Sequence, residues 1–163
     1  MNGWTAAGTA LLLCGVVPAA YGAATGPVRR RVPAQNLVTT LLSLVVLLLA
    51  QGYGRPAYVD PALVLAVLGP AGTLLYVRLL ADRLADRPPR PRSLLMVTTL
   101  TYVAVPAVVL PLCVAAGPGR ALVKLLVIGV LLVMGSRAAA RAVTAAVSTG
   151  HGRTGPAEGM SDG

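Results

Sequence analysis

The chain has 163 residues, of which 56% are apolar and only 12% charged. A soluble domain carries roughly 25% charge, so the composition points away from a water-soluble fold. Its net charge of +9 comes from 14 Lys and Arg against five acids. The bases flank apolar runs and do not interleave with aromatics, which argues against a nucleic-acid partner and for the loop charge of a membrane protein.

Five apolar segments follow in order. The first runs from about Trp4 to Ala24. It has no Lys or Arg ahead of it, so it reads as a retained helix, not a secretory signal. The stretch "ATGPVRRRVPAQN" breaks the chain with Gly26, Pro27 and Pro33 around Arg29, Arg30 and Arg31. The second segment spans about Asn36 to Tyr53, and "QGYGRPAYVD" closes it with Gly52, Gly54 and Pro56. The third spans about Asp60 to Leu80 and ends in the charged, proline-rich "ADRLADRPPRPRS". The fourth spans about Leu94 to Ala116, with Pro106 and Pro111 expected to kink it. After the tight turn "AAGPGR", the fifth spans about Ala121 to Val143. From Ser148 onward the chain is rich in Gly, Ser and Thr and is expected to be disordered, with His151 solvated there.

Each segment is near the ~20 residues that an α-helix needs to cross ~30 Å of hydrocarbon. None alternates with period two, so barrel strands are not indicated. The expected fold is an all-α integral membrane protein of about five transmembrane helices. With five spans, Arg29 to Arg31, the Arg78 to Arg92 group and the tail arginines share one side, and Arg55, Arg120 and Lys124 the other. The positive-inside rule then places the N-terminus outside and the C-terminus in the cytoplasm of a multi-pass cell-membrane protein. Arg29, Arg30 and Arg78 are the expected interface anchors, and Arg29 to Arg31 would attract anionic membrane lipid.

Small residues four apart, such as Ala6 and Ala10 or Ala138 and Ala142, allow helix backbones to approach. Thr39, Thr40 and Ser43 can bond neighbouring helices or their own i−4 carbonyls, with the second the expected main use. Cys14 and Cys113 lie in apolar stretches without metal spacing and read as small hydrophobes. The single His is in the tail, and no nucleophile–base set, nucleotide loop or carboxylate cluster occurs. No enzyme activity, cofactor or metal is therefore expected.

Two charges remain near membrane depth. Asp60 precedes Pro61, a pairing that reads as an N-cap and first helical residue. A cation- or proton-binding role at the edge of a hydrated cavity stays open beside it. Lys124 lies one turn into the fifth segment; it either snorkels to the outer interface or carries protons.

The stretch "YVDPALVLAVLGPAGTLLYVRLL" resembles the third helix of the F subunit (MrpF/MnhF-like) of Mrp-type multisubunit monovalent cation/proton antiporters. The resemblance rests on Tyr58, Asp60, the aliphatic run Leu63 to Leu68, Gly72, Thr73 and Arg78. Upstream, "GPVRRRVPAQNL" is similar to the family's segment at Gly26, Pro27, Arg30, Arg31, Ala34 and Asn36. Arg30 and Asn36 stand where the family has acids, and Pro33 is atypical, so a role tied to those acids does not carry over. "GRALVKLLVIGVLLVMGSRAAARAV" resembles the last helix of the G subunit, without that subunit's first helix.

The resemblance implies residues 1–86 as a three-helix F-like module, 87–93 as a linker, 94–147 as a two-helix G-like module and 148–163 as a tail. It further implies an accessory subunit of a Na+/proton antiporter that packs with larger ion-translocating subunits. Monovalent cation and proton would be handled by the complex as a whole. The alternative is a structural or assembly membrane protein without transport activity. A stand-alone transporter has no evident pathway or inverted repeat.

Overall fold

The computed structural model describes residues 2–25, 28–79 and 91–151. Five helices in it are long and apolar enough to span a bilayer, and the described residues contain no strand. The chain is a multi-pass helical membrane protein. We number the helices α1 (Gly3–Thr25), α2 (Val28–Gly52), α3 (Val59–Leu79), α4 (Pro91–Ala116) and α5 (Arg120–His151). Inside lipid each backbone N–H and C=O needs a partner, and an α-helix supplies it within the segment.

Helices α2, α3, α5 and α4 close a four-membered ring in that order, and α1 lies outside it against α2. The ring's main core draws on Leu44 and Leu47 of α2, Ala62 and Ala66 of α3, Val105 and Leu112 of α4, and Leu125, Ile128 and Leu132 of α5. The buried faces follow helical periodicity. On α5 they are Leu125, Ile128, Leu132, Ser136, Ala139 and Val143; on α3 they are Ala62, Ala66, Gly69, Thr73 and Val77. The small side chains of α3 let its neighbours come close, which is how helices associate where lipid removes the hydrophobic drive. The outward faces carry Leu68, Leu75, Val103, Val114 and Met134.

Two ends of the bundle are marked by amphipathic rings. Asn2 Nδ2 donates to Gly52 O at 3.3 Å, so the start of α1 meets the end of α2. Trp4, Tyr53 and Tyr58 therefore share the end that holds Asp60, while Tyr21 and Tyr76 mark the other. Aromatic belts of this kind sit at the headgroup level of a bilayer. From Asp60 to Arg78 the 18 residues of α3 rise about 27 Å, close to the ~30 Å hydrocarbon thickness.

Several element bounds differ from the sequence reading. Helix α2 begins at Val28, so Arg29 to Arg31 and Pro33 lie within it, not in a loop. A proline forfeits one i−4 bond, a loss that transmembrane helices absorb locally. Helix α4 begins at Pro91 and takes in part of the expected linker, and residues 80–90 lie outside the described residues. Helix α5 continues to His151, past the expected start of a disordered tail at Ser148; residues 152–163 lie outside the described residues. Both Pro106 and Pro111 are inside α4, and Pro70, not singled out in the sequence, is inside α3. A π-helical turn at Leu12–Val16 interrupts α1. The two expected turns use positive φ at Gly54 (62°) and Gly117 (66°), the region glycine occupies without a Cβ clash.

Candidate functional site

The two charges that the sequence left separate are partners. Lys124 Nζ donates to Asp60 Oδ1 at 2.8 Å, with the side chains 52% and 64% exposed. Helices α3 and α5 both leave the Asp60 end, so Asp60 in the first turn of α3 and Lys124 one turn into α5 arrive at one level. Asp60 is not an N-cap: the chain enters α3 through a 3-10 turn at Pro56–Tyr58, and the helix begins at Val59. Within the first turn, its carboxylate still sits at the positive end of the helix dipole. At the same end of the bundle, a cavity of about 200 Å³ is lined by Gln51, Val59 and Leu125 and by neither charged residue of the pair. Two opposite charges at a membrane edge neutralise each other's transfer cost, and a half-exposed pair can still exchange partners with water or ions.

A second polar feature runs between α2 and α3. Asn36 is 5% exposed and its Oδ1 takes no hydrogen bond from the described residues. Thr40 Oγ1 donates to Asn36 O at 2.9 Å, and Thr39 Oγ1 to the same carbonyl at 3.0 Å. Both threonines bond within their own helix. Ser43 does not: its Oγ crosses to Ala62 O on α3 at 3.0 Å, fully buried. Thr73 Oγ1 donates to Gly69 O at 3.0 Å. Gly69 makes room for this seam, since a Cβ there would stand 2.5 Å from Thr39 Oγ1. The strip Asn36, Thr39, Thr40 and Ser43 has helical spacing legible in the sequence; the threonines take the expected self-bonding use and Ser43 takes the other, a bond to the neighbouring helix.

The remaining sequence-derived positions fall as follows. Arg31 Nη2 donates to Ala24 O at 3.0 Å and so satisfies a carbonyl in the last turn of α1. Arg78 is exposed in the last turn of α3, where a cation suits the helix dipole. Thr73 is buried in the seam, whereas Gly72 faces outward, with nothing within 4 Å of an added Cβ. Gly26 and Pro27 lie outside the described residues, as do the side chains of Arg29 and Arg30.

This polar seam and the exposed Asp60 both fall within one recognisable stretch. Residues 30–81 match the family model of multiple resistance and pH regulation protein F (MrpF / PhaF). The matched segment is about a third of the chain and covers nearly all of α2 and the whole of α3. No curated protein and no solved structure matches the chain. Asn36, Asp60, Gly72, Thr73 and Arg78 are all within the MrpF-like segment, and Lys124 is outside it.

Proposed function

We propose that the chain is an accessory membrane subunit of a multisubunit monovalent cation/proton antiporter, in which Asp60 lies on a hydrated path shared with larger subunits. The observation that carries this reading is the MrpF-like segment over residues 30–81, which contains both Asp60 and the buried Asn36 seam. The pairing with Lys124 supports it. A carboxylate held by an ammonium can be released to a cation or a proton when the lysine swings away, so the pair has two states that a passing ion can bias. A chain with so few charges inside its spans does not move ions alone, hence the need for partner subunits. Residues 1–86 as the F-like module and 94–147 as a G-like module belong to the same proposal, as do a cytoplasmic C-terminus and Na+ as the cation. Asp60→Asn in the assembled complex is the test: antiport measured in inverted vesicles should fall while subunit assembly stays intact. Normal antiport with normal assembly would remove the ion role and leave a scaffold.

A further inference from the structure

Each helix of the four-membered ring carries a buried polar side chain: Asn36 on α2, Thr73 on α3, Thr101 on α4 and Ser136 on α5. Each continues the core-facing stripe of its helix. Thr101 is four residues from Val105, Ser136 four from Leu132, Thr73 seven from Ala66 and Asn36 eight from Leu44. They also lie at one depth. A Cβ added at Gly69 would stand 3.6 Å from Asn36 Oδ1, and Thr73 Oγ1 reaches back to Gly69 O. Pro70, beside Gly69, meets Gly135, beside Ser136. Tyr102 and Arg137, the residues next after Thr101 and Ser136, touch across the α4–α5 seam, where Arg137 Nε donates to the Tyr102 hydroxyl. The ring interior is aliphatic toward the Asp60 end and turns polar on all four helices over about 6 Å of depth, the rise from Gly69 to Thr73.

This layer is rich in acceptors and short of donors. Thr73 Oγ1 donates to Gly69 O, Thr101 Oγ1 to Val97 O and Ser136 Oγ to Val133 O, each at 3.0 Å. Each hydroxyl has spent its only proton and keeps oxygen lone pairs. Asn36 is 5% exposed, and its Oδ1 takes no hydrogen bond from the described residues. Pro70 adds one more acceptor: it has no N–H, so the carbonyl of the buried Ala66, four residues back, loses its helical donor. The Asn36 amide nitrogen is the one donor that the four side chains have left. Apolar side chains close the layer on both sides, with Leu44, Val105 and Leu132 toward the Asp60 end and Val77 and Val143 toward the Arg78 end. A buried oxygen without a donor is costly, and internal water is the usual remedy where several polar groups surround it.

We propose that this layer is an internal hydration site, in which a water molecule donates one proton to Asn36 Oδ1 and the other to a threonine oxygen of the layer, Thr73 or Thr101. The four side chains are neutral. Water suits them because it brings two protons and no charge, whereas an ion taken in without a counter-charge bears its full desolvation cost. Thr73 is about 20 Å along α3 from Asp60, so the site is separate from the ion pair and does not depend on the antiporter reading.

The composition supplies the probes. The chain has two asparagines, Asn2 and Asn36, and one isoleucine, Ile128; Asn2 is exposed and Ile128 is fully buried in the apolar core. The full chain, labelled with carbon-13 in asparagine and isoleucine and held in phosphatidylcholine bilayers, is observed by water-edited solid-state NMR. Asn36 Cγ should gain signal from water protons well ahead of Ile128. Thr73→Val with Thr101→Val removes both hydroxyls at almost unchanged shape and should slow Asn36 to the Ile128 rate. Thr73→Ser with Thr101→Ser keeps the hydroxyls and should keep the fast transfer. A variant that failed to fold would wet Ile128 as well, so that signal checks each sample. Wild-type Asn36 rising no faster than Ile128 would overturn the site, and so would fast transfer that survives loss of both hydroxyls. An Asn36 Cγ resonance that moves with sodium chloride but not with choline chloride would show a monovalent cation on the oxygen and overturn the assignment to water.

Discussion

Gly135 of α5 faces Pro70 of α3 so closely that a Cβ added there would overlap Pro70 Cγ and stand 3.0 Å from its Cβ. Carbon atoms rest at about 3.5–4.0 Å. The proline ring cannot rotate aside, so Gly135→Ala must push the two helices apart. Overpacking of this kind costs about 1–3 kcal/mol. The same substitution gains up to ~1 kcal/mol of helix propensity, which would mask part of the loss. Gly72→Ala supplies the control, because it sits in a helix interior and meets nothing within 4 Å. The difference between the two variants isolates the clash. Unfolding in mixed micelles, titrated with dodecyl sulfate and followed by helical ellipticity, should place Gly135→Ala about 1–3 kcal/mol below Gly72→Ala. Equal stability would mean that α3 and α5 do not meet at Pro70, and the ring order would be wrong.

Ser43→Ala removes the buried bond to Ala62 O and should cost about 0.6–1.7 kcal/mol in the same titration, the range of interhelical hydrogen bonds in membranes. An Asp60→Asn and Lys124→Met double-mutant cycle should return a coupling of at most ~1 kcal/mol, because both groups are more than half exposed; a much larger value would show a buried pair. With Cys14 and Cys113 replaced by Ala, cysteines at Asn2 and Arg153 should be labelled from opposite sides of the membrane, as an odd number of spans requires. Labelling of both from one side would contradict the five-helix threading.

The spans were legible because hydropathy alone decides what lipid accepts, and Gly54 and Gly117 were legible because their turns demand positive φ. Helix bounds were less so. Pro33 read as a breaker because local propensity disfavours it, yet α2 runs through it. The π turn in α1 leaves no local signal. For the site, span counting already put Asp60 and Lys124 on one side, but an ion pair 64 residues apart depends on which helices are neighbours, and periodicity does not report that. The pairing of Tyr102 with Arg137 was invisible for the same reason. For Ser43 the sequence leaves open a bond within its own helix or to a neighbour; its crossing to Ala62 depends on how small the facing residues of α3 are, a property of the partner and not of the serine.

The core of the ring is shared. Leu44, Leu47, Ala62 and Ala66 come from before residues 80–90, and Val105, Leu112, Ile128 and Leu132 from after, with the Asp60–Lys124 bridge spanning the same divide. Affinity between the halves is therefore written in these buried faces. Cut between α3 and α4 and produced from two genes, the fragments should find each other in the bilayer, because each carries half of one buried interior.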